Sequence, residues 1–196
     1  MKCKRRTSSA SIHGLQAGVT LIETMMAVAI ILICAAGVMG LASVAISTTE
    51  NQGHLMARTA EYAQDKMEQL LALAYCDATT DTTQIPSQPS GGTGLAGCPL
   101  PLASPATGTG IGGSSDPANP IAGYADYLDS SGKLVPSIGG AAPATWFYIR
   151  VWKLSAGPNG VTQMKQITVT TQVFQQVGAG GTIPQTAVVA LKGYPF

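Results

Sequence analysis

Between Val19 and Ile46 the chain reads VTLIETMMAVAIILICAAGVMGLASVAI, an apolar run in which Glu23 and the thiol of Cys34 are the only ionisable side chains. No other stretch constrains the fold so tightly. The run is longer than the roughly 20 helical residues that cross a hydrocarbon core. It contains no proline, so an unbroken helix can satisfy its own amides, as a bilayer requires. Only 11% of the 196 residues are charged and the mean hydropathy is positive, as expected of a chain that lives partly in lipid.

Ahead of the run, residues 1–18 carry Lys2, Lys4, Arg5 and Arg6 and no acid. The positive-inside rule then keeps the N-terminus in the cytoplasm and sends the C-terminal bulk across the membrane. A secretory signal peptide also begins with basic residues and an apolar core, but that core is about 7–15 residues long and is followed by a small-residue cleavage site. Here the run is longer, a carboxylate sits near its start, and the change of character falls before it, at Ala17-Gly18. With 11 Lys+Arg against 10 Asp+Glu the net charge is +1, so no field gathers nucleic acid, and no nucleic-acid partner is expected.

The segment LQAG-VTLIETMMAVAI resembles the leader and N-terminal helix of type IV prepilins and type II secretion pseudopilins. The resemblance implies cleavage by a prepilin peptidase after Gly18 and methylation of the new amino terminus on Val19. It also implies that Glu23, in the fifth mature position, meets the charged amino terminus of a neighbouring subunit during assembly. Family members usually begin with phenylalanine, and Val19 departs from that. The residues alone leave other fates open to Glu23: a carboxyl near the edge of the hydrocarbon is costly unless paired, and it can also snorkel to the headgroups or take a proton. Ala36, Gly37, Gly40, Ser43 and Ala45 are small enough to let helices approach in lipid, although the glycine spacing is not GxxxG.

From Ser47 to Tyr75 the chain turns polar but stays free of proline. Leu55, Tyr62, Met67, Leu70, Leu71 and Leu73 recur at mostly three- and four-residue intervals, with Arg58, Glu61, Asp65, Lys66 and Glu68 between them. That pattern predicts an amphipathic continuation of one long helix, loosened locally at Gly53. The stretch AEYAQDKMEQLLAL is similar to the matching part of PilV-type minor pilins and of I-type minor pseudopilins. Of four cysteines, Cys3 lies in the leader and Cys34 in the apolar helix, so Cys76 and Cys98 alone reach the oxidising side and are expected to pair. The bond closes a loop of about 20 residues, a contribution of ~3 kcal/mol on the chain-entropy argument.

Pro99–Pro143 is rich in Gly, Pro, Ala and Ser and reads as irregular, with one short hairpin over the DSSGK turn at Asp129–Lys133. Asp116, Asp126 and Asp129 lack EF-hand spacing and read as turn formers; no metal and no cofactor is expected. Strand patterns return in Thr145–Leu154 and Val161–Phe174, separated by a Gly157-Pro158-Asn159-Gly160 turn, and Thr186–Tyr194 offers an edge strand. Ile167, Val169, Thr171 and Val173 share one face of the second run. Trp146, Phe147, Tyr148 and Trp152 read as packing aromatics rather than a stacking platform.

The expected fold is α+β: a long N-terminal helix, its first half in the membrane, packed on a C-terminal antiparallel sheet, the pilin fold of the resemblance. The expected organisation is a leader over 1–18, a membrane or filament-core helix over 19–46, its amphipathic continuation over 47–75, an irregular disulfide-bearing region over 76–143 and a sheet over 144–196. The exported part has a single histidine, no GxSxG, no HExxH and no phosphate loop, so no enzyme is expected. The resemblance implies a minor type IV pilin with a role in pilus assembly or at the tip. Its partners would be other pilins, the prepilin peptidase and the inner-membrane assembly platform. Such a protein sits in the bacterial inner membrane with a periplasmic head, then in the pilus at the cell surface. An I-type minor pseudopilin of type II secretion and a signal-anchored binding module that never polymerises are the two alternatives.

Overall fold

A computed structural model describes residues 20–98, 112–137, 141–158, 163–174 and 183–194. The first element is a helix of 52 residues, α1 (Leu21–Ala72). It begins where the amides of Glu23 and Thr24 turn onto the Thr20 carbonyl, and nothing in its Ala, Met, Leu, Gln and Glu content breaks it. Gly53, expected to loosen the helix, stays within it. Contacts divide the chain into one unit ending at Ala45 and a second beginning at Ile46.

In the second unit α1 buries Thr59, Tyr62, Ala63, Lys66, Met67 and Leu70, a stripe at three- and four-residue spacing. The expected stripe is corrected at two points. Leu71, one residue and so about 100° round from Leu70, is exposed, and Lys66, expected among the polar positions, is fully buried. The last turn of α1 has no basic residue of its own. Its open carbonyls are met instead by Lys192, which donates to Leu71 and Leu73 oxygens, each at 2.5 Å.

Six strands form one antiparallel sheet: β1 (Gly112–Gly113), β2 (Ala125–Leu128), β3 (Leu134–Val135), β4 (Tyr148–Ala156), β5 (Met164–Val173) and β6 (Gln185–Gly193). The order is β3-β2-β4-β5-β6, with β1 also paired to β4. The expected hairpin is present, its register running from Tyr148↔Val173 to Ala156↔Lys165, and β6 lies at the sheet edge as expected. Trp146 and Phe147 fall ahead of β4, so that strand starts later than the pattern at Thr145 suggested.

Three short strands lie inside the 76–143 stretch that was expected to be irregular apart from one hairpin. The hairpin is there, β2 against β3 across the DSSGK turn, but β2 also joins the main sheet beside β4. All four β2 residues are buried, so the strand lacks the alternation that marks a half-buried strand in sequence.

The helix stripe and one sheet face enclose the core. Ala63, Met67 and Leu70 pack with Trp152, Leu154, Ile167, Val169, Leu95 and Tyr124, and farther along Tyr62 packs with Leu128, Tyr148 and Val173. The opposite sheet face holds a smaller cluster of Ala125, Tyr127, Ile149 and Val151 against Trp146. The aromatics pack as expected: Tyr148 meets Tyr62 edge to face at 4.9 Å, and Trp146 lies between Tyr127 and Phe174.

Candidate functional site: the N-terminal helix and the head it carries

Gly18 and Val19, the expected cleavage and methylation positions, lie outside the described residues. Glu23 is in the first turn of α1 with its side chain exposed. A carboxylate there lies at the positive end of the helix dipole, with its oxygens open to an incoming cation. The large apolar side chains from Leu21 to Val44 are between 55% and 79% exposed. The helix is long and apolar enough to cross a membrane, and its most apolar stretch is not buried by the chain itself, unlike the core helix of a soluble domain. At Gly37 and Gly40 an added Cβ would meet nothing, so the helix surface is open at both.

The head is organised by charges that sequence reasoning missed. Arg150 on β4 donates from Nε to Asp126 Oδ1 at 2.7 Å and from Nη2 to Oδ2 at 2.8 Å, a bidentate pair buried in the sheet. Lys66 of α1 reaches the same carboxylate at 2.6 Å, and Arg150 also contacts the exposed Asp65 at 3.0 Å. Asp126 is therefore the shared counter-ion of two buried cations, not a turn former. Burial alone would raise its carboxyl, but the Lys66 ammonium and Arg150 guanidinium outweigh that and hold it below its ordinary value. Burial lowers Lys66 to about 8 even against the pull of Asp126, with Arg150 adding to the fall. The ammonium stands 4.4 Å from the centre of the Trp152 ring and also donates to the Thr82 carbonyl and to Gln69.

The signal for this cluster was periodicity, read without regard to charge. Lys66 holds the right position on the 59-63-66-70 stripe, and Arg150 shares the alternate set of β4 with Tyr148 and Trp152. Asp129 behaves as expected, its Oδ1 accepting the amides of Ser131 and Lys133, and Asp116 accepts the amide of Ala118. Among the described residues no cluster of three His, Cys, Asp or Glu is placed to hold a metal ion.

Cys76 and Cys98 are joined by a disulfide, their Cα atoms 4.8 Å apart, closing a loop that follows directly on α1. Inside the loop Asp77 takes the amides of Thr79 and Thr80, and Asp81 pairs with Gln88 as a single bridge. Gln69 of α1 donates to the Gln84 carbonyl at 3.0 Å and to Ser87 Oγ. Lys165 of β5 donates to three further carbonyls, those of Tyr75, Leu95 and Gly97.

Residues 14–39 match the family model described as the prokaryotic N-terminal methylation motif. The matched segment holds Gly18, Val19 and Glu23 together with the first turns of α1. No curated protein and no solved structure matches the chain. The motif supports a prepilin-like protein of the pilin and pseudopilin kind, a class whose members are structural subunits, and together with the apolar helix it fits a membrane-anchored chain.

Proposed function

We propose that the protein is a minor type IV pilin, cleaved after Gly18, methylated on Val19 and built into the pilus through α1. The observation that carries this reading is a coincidence of position: the methylation motif over 14–39 overlaps the part of α1, Leu21 to Val44, whose large apolar side chains the chain leaves uncovered. Before assembly the bilayer covers that surface, with the N-terminus in the cytoplasm and the head in the periplasm; after assembly neighbouring pilin helices cover it. Glu23 then pairs with the methylated amino terminus of an adjacent subunit. Each charge cancels the cost of the other in an apolar bundle, which makes correct stagger the only low-energy arrangement. On this reading the head, with its disulfide loop and sheet, faces outward and serves in assembly or at the tip.

The test is to shear surface filaments from cells making the wild-type or the Glu23→Leu chain and to probe them for the head. The expected result is a head signal in the wild-type filaments that the substitution abolishes while the membrane level is unchanged. A head found with type II secretion pseudopilins and never in pili would assign the chain to the secretion machine. Equal incorporation of Glu23→Leu would remove the assembly role of the carboxylate.

A further inference from the structure

Lys165 sits on β5 with 4% of its surface exposed, and its ammonium has three backbone carbonyls as partners: Tyr75 at 2.9 Å, Leu95 at 2.8 Å and Gly97 at 2.6 Å. Two of these carbonyls belong to the residues immediately before Cys76 and Cys98. One cation on the sheet thus grips both chain segments that the disulfide joins. The ring of Tyr75 lies 4.7 Å from the same ammonium, which covers it on a further side.

The segments are also matched to each other without the sulfurs. The Asp77 carbonyl accepts the amides of Leu95 at 2.8 Å and Gly97 at 3.0 Å, and the Leu95 side chain is fully buried in the core. Gly97 has φ +72°, and a Cβ there would come within 3.1 Å of Ala78, so the close approach of the two segments is built into the backbone. From the helix side, Lys66 and Gln69 hold the Thr82 and Gln84 carbonyls. A buried carbonyl left without a donor is costly, so removing Lys165 would orphan three at once.

We propose that Lys165 is the positioning residue for disulfide formation: it sets Cys76 against Cys98 before oxidation, and the bond seals a loop already docked. The covalent step is ordinary exchange with a disulfide-bearing oxidant, either a protein or a small molecule. One cysteine thiolate attacks the oxidant's disulfide and releases a thiolate; the second cysteine thiolate then attacks the mixed disulfide and releases the other. Two protons leave the cysteines and are taken up by the two released thiolates, and two electrons pass to the oxidant, which ends as two thiols. Lys165 takes no part in the electron transfer; it raises the effective concentration of one thiol at the other.

The experiment uses the full chain in detergent micelles, equilibrated in mixtures of reduced and oxidised glutathione, quenched and read by mass. Lys165→Met keeps the length of the side chain and removes its charge and donors. The expected result is a fall of about 10- to 100-fold in the equilibrium constant for closing the disulfide, the scale of charged hydrogen bonds lost to buried carbonyls. Lys192→Met, the cross-strand neighbour that donates to other carbonyls, should leave that constant unchanged. A second arm replaces both cysteines by serine and follows amide hydrogen exchange at Leu95 and Gly97, with β4 and β5 amides as the internal control. Protection retained there with Lys165 present supports the proposal. Free exchange at Leu95 and Gly97 with β4 and β5 still protected, or an unchanged glutathione equilibrium in Lys165→Met, would overturn it, because the disulfide would then be the organiser of the loop.

Discussion

Asp126 answers two buried cations, and that asymmetry sets the cost of losing each partner. In Asp126→Asn, Lys66 and Arg150 would both stay buried without a full counter-charge, and the head should lose about 3–5 kcal/mol in urea unfolding. Lys66→Met should cost clearly less, since Arg150 keeps both carboxylate oxygens; a reversed ranking would contradict the assignment of Asp126 as shared counter-ion. The lysines also give the head a pH signature. Lys66 and Lys165 are each lowered from 10.5 to about 8, the first mainly by burial and the second by burial and then by Lys192. Between those values the unfolded chain binds more protons than the folded one, so stability rises as pH climbs from about 8. Burial raises Tyr75, Tyr127 and Tyr148 above 10.0, so past that pH the unfolded chain loses phenolic protons first and stability falls again. On the acid side, support from Asp126 is present above its ordinary 3.8 and is lost as pH falls toward its lower folded value. Thermal melts at neutral, mildly alkaline and strongly alkaline pH should therefore pass through a maximum, and Lys66→Met combined with Lys165→Met should flatten the rise. None of this was visible in the sequence, because a charged letter in an apolar pattern does not say which opposite charge, 24 residues away for Arg150 or 60 for Lys66, the fold will bring to it.

Among the elements, α1 and the β4–β5–β6 part of the sheet were legible because each repeats a local pattern over many residues. Alternation at Ile167, Val169, Thr171 and Val173 gave the buried face of β5, and the same parity extends to Lys165. The short strands were not legible beyond their hairpin. β1 is two glycines, β3 is two residues, and β2 is buried on both faces, so each exists only by pairing with a neighbour. The β2–β3 hairpin is also fixed by a backbone requirement. Gly132 has φ +87°, and a Cβ there would collide with the Tyr62 hydroxyl of α1. Gly132→Ala should therefore destabilise the head by more than about 1 kcal/mol in urea unfolding. Wild-type stability would show that the turn does not lean on the helix. Trp152, fully buried between helix and sheet, should cost about 3–5 kcal/mol when replaced by alanine, against near silence for the exposed Leu191 of β6.

For the whole molecule, the class was readable from a short local code: a glycine, an aliphatic residue and a carboxylate at the head of an apolar helix, matched by the methylation motif over residues 14–39. The interactions that hold the head together were not readable, because they are tertiary pairings with no fixed spacing. On the proposed function, the uncovered part of the helix assembles and the self-contained head is its cargo. The central claim is that the chain is processed at the boundary between Gly18 and Val19. That is tested most directly by intact-mass measurement and N-terminal sequencing of the protein from cells with and without their prepilin peptidase. The account predicts a peptidase-dependent N-terminus at Val19 bearing one added methyl group. An N-terminus still at Met1 in cells that have the peptidase, or a cut beyond Ile46, would contradict it.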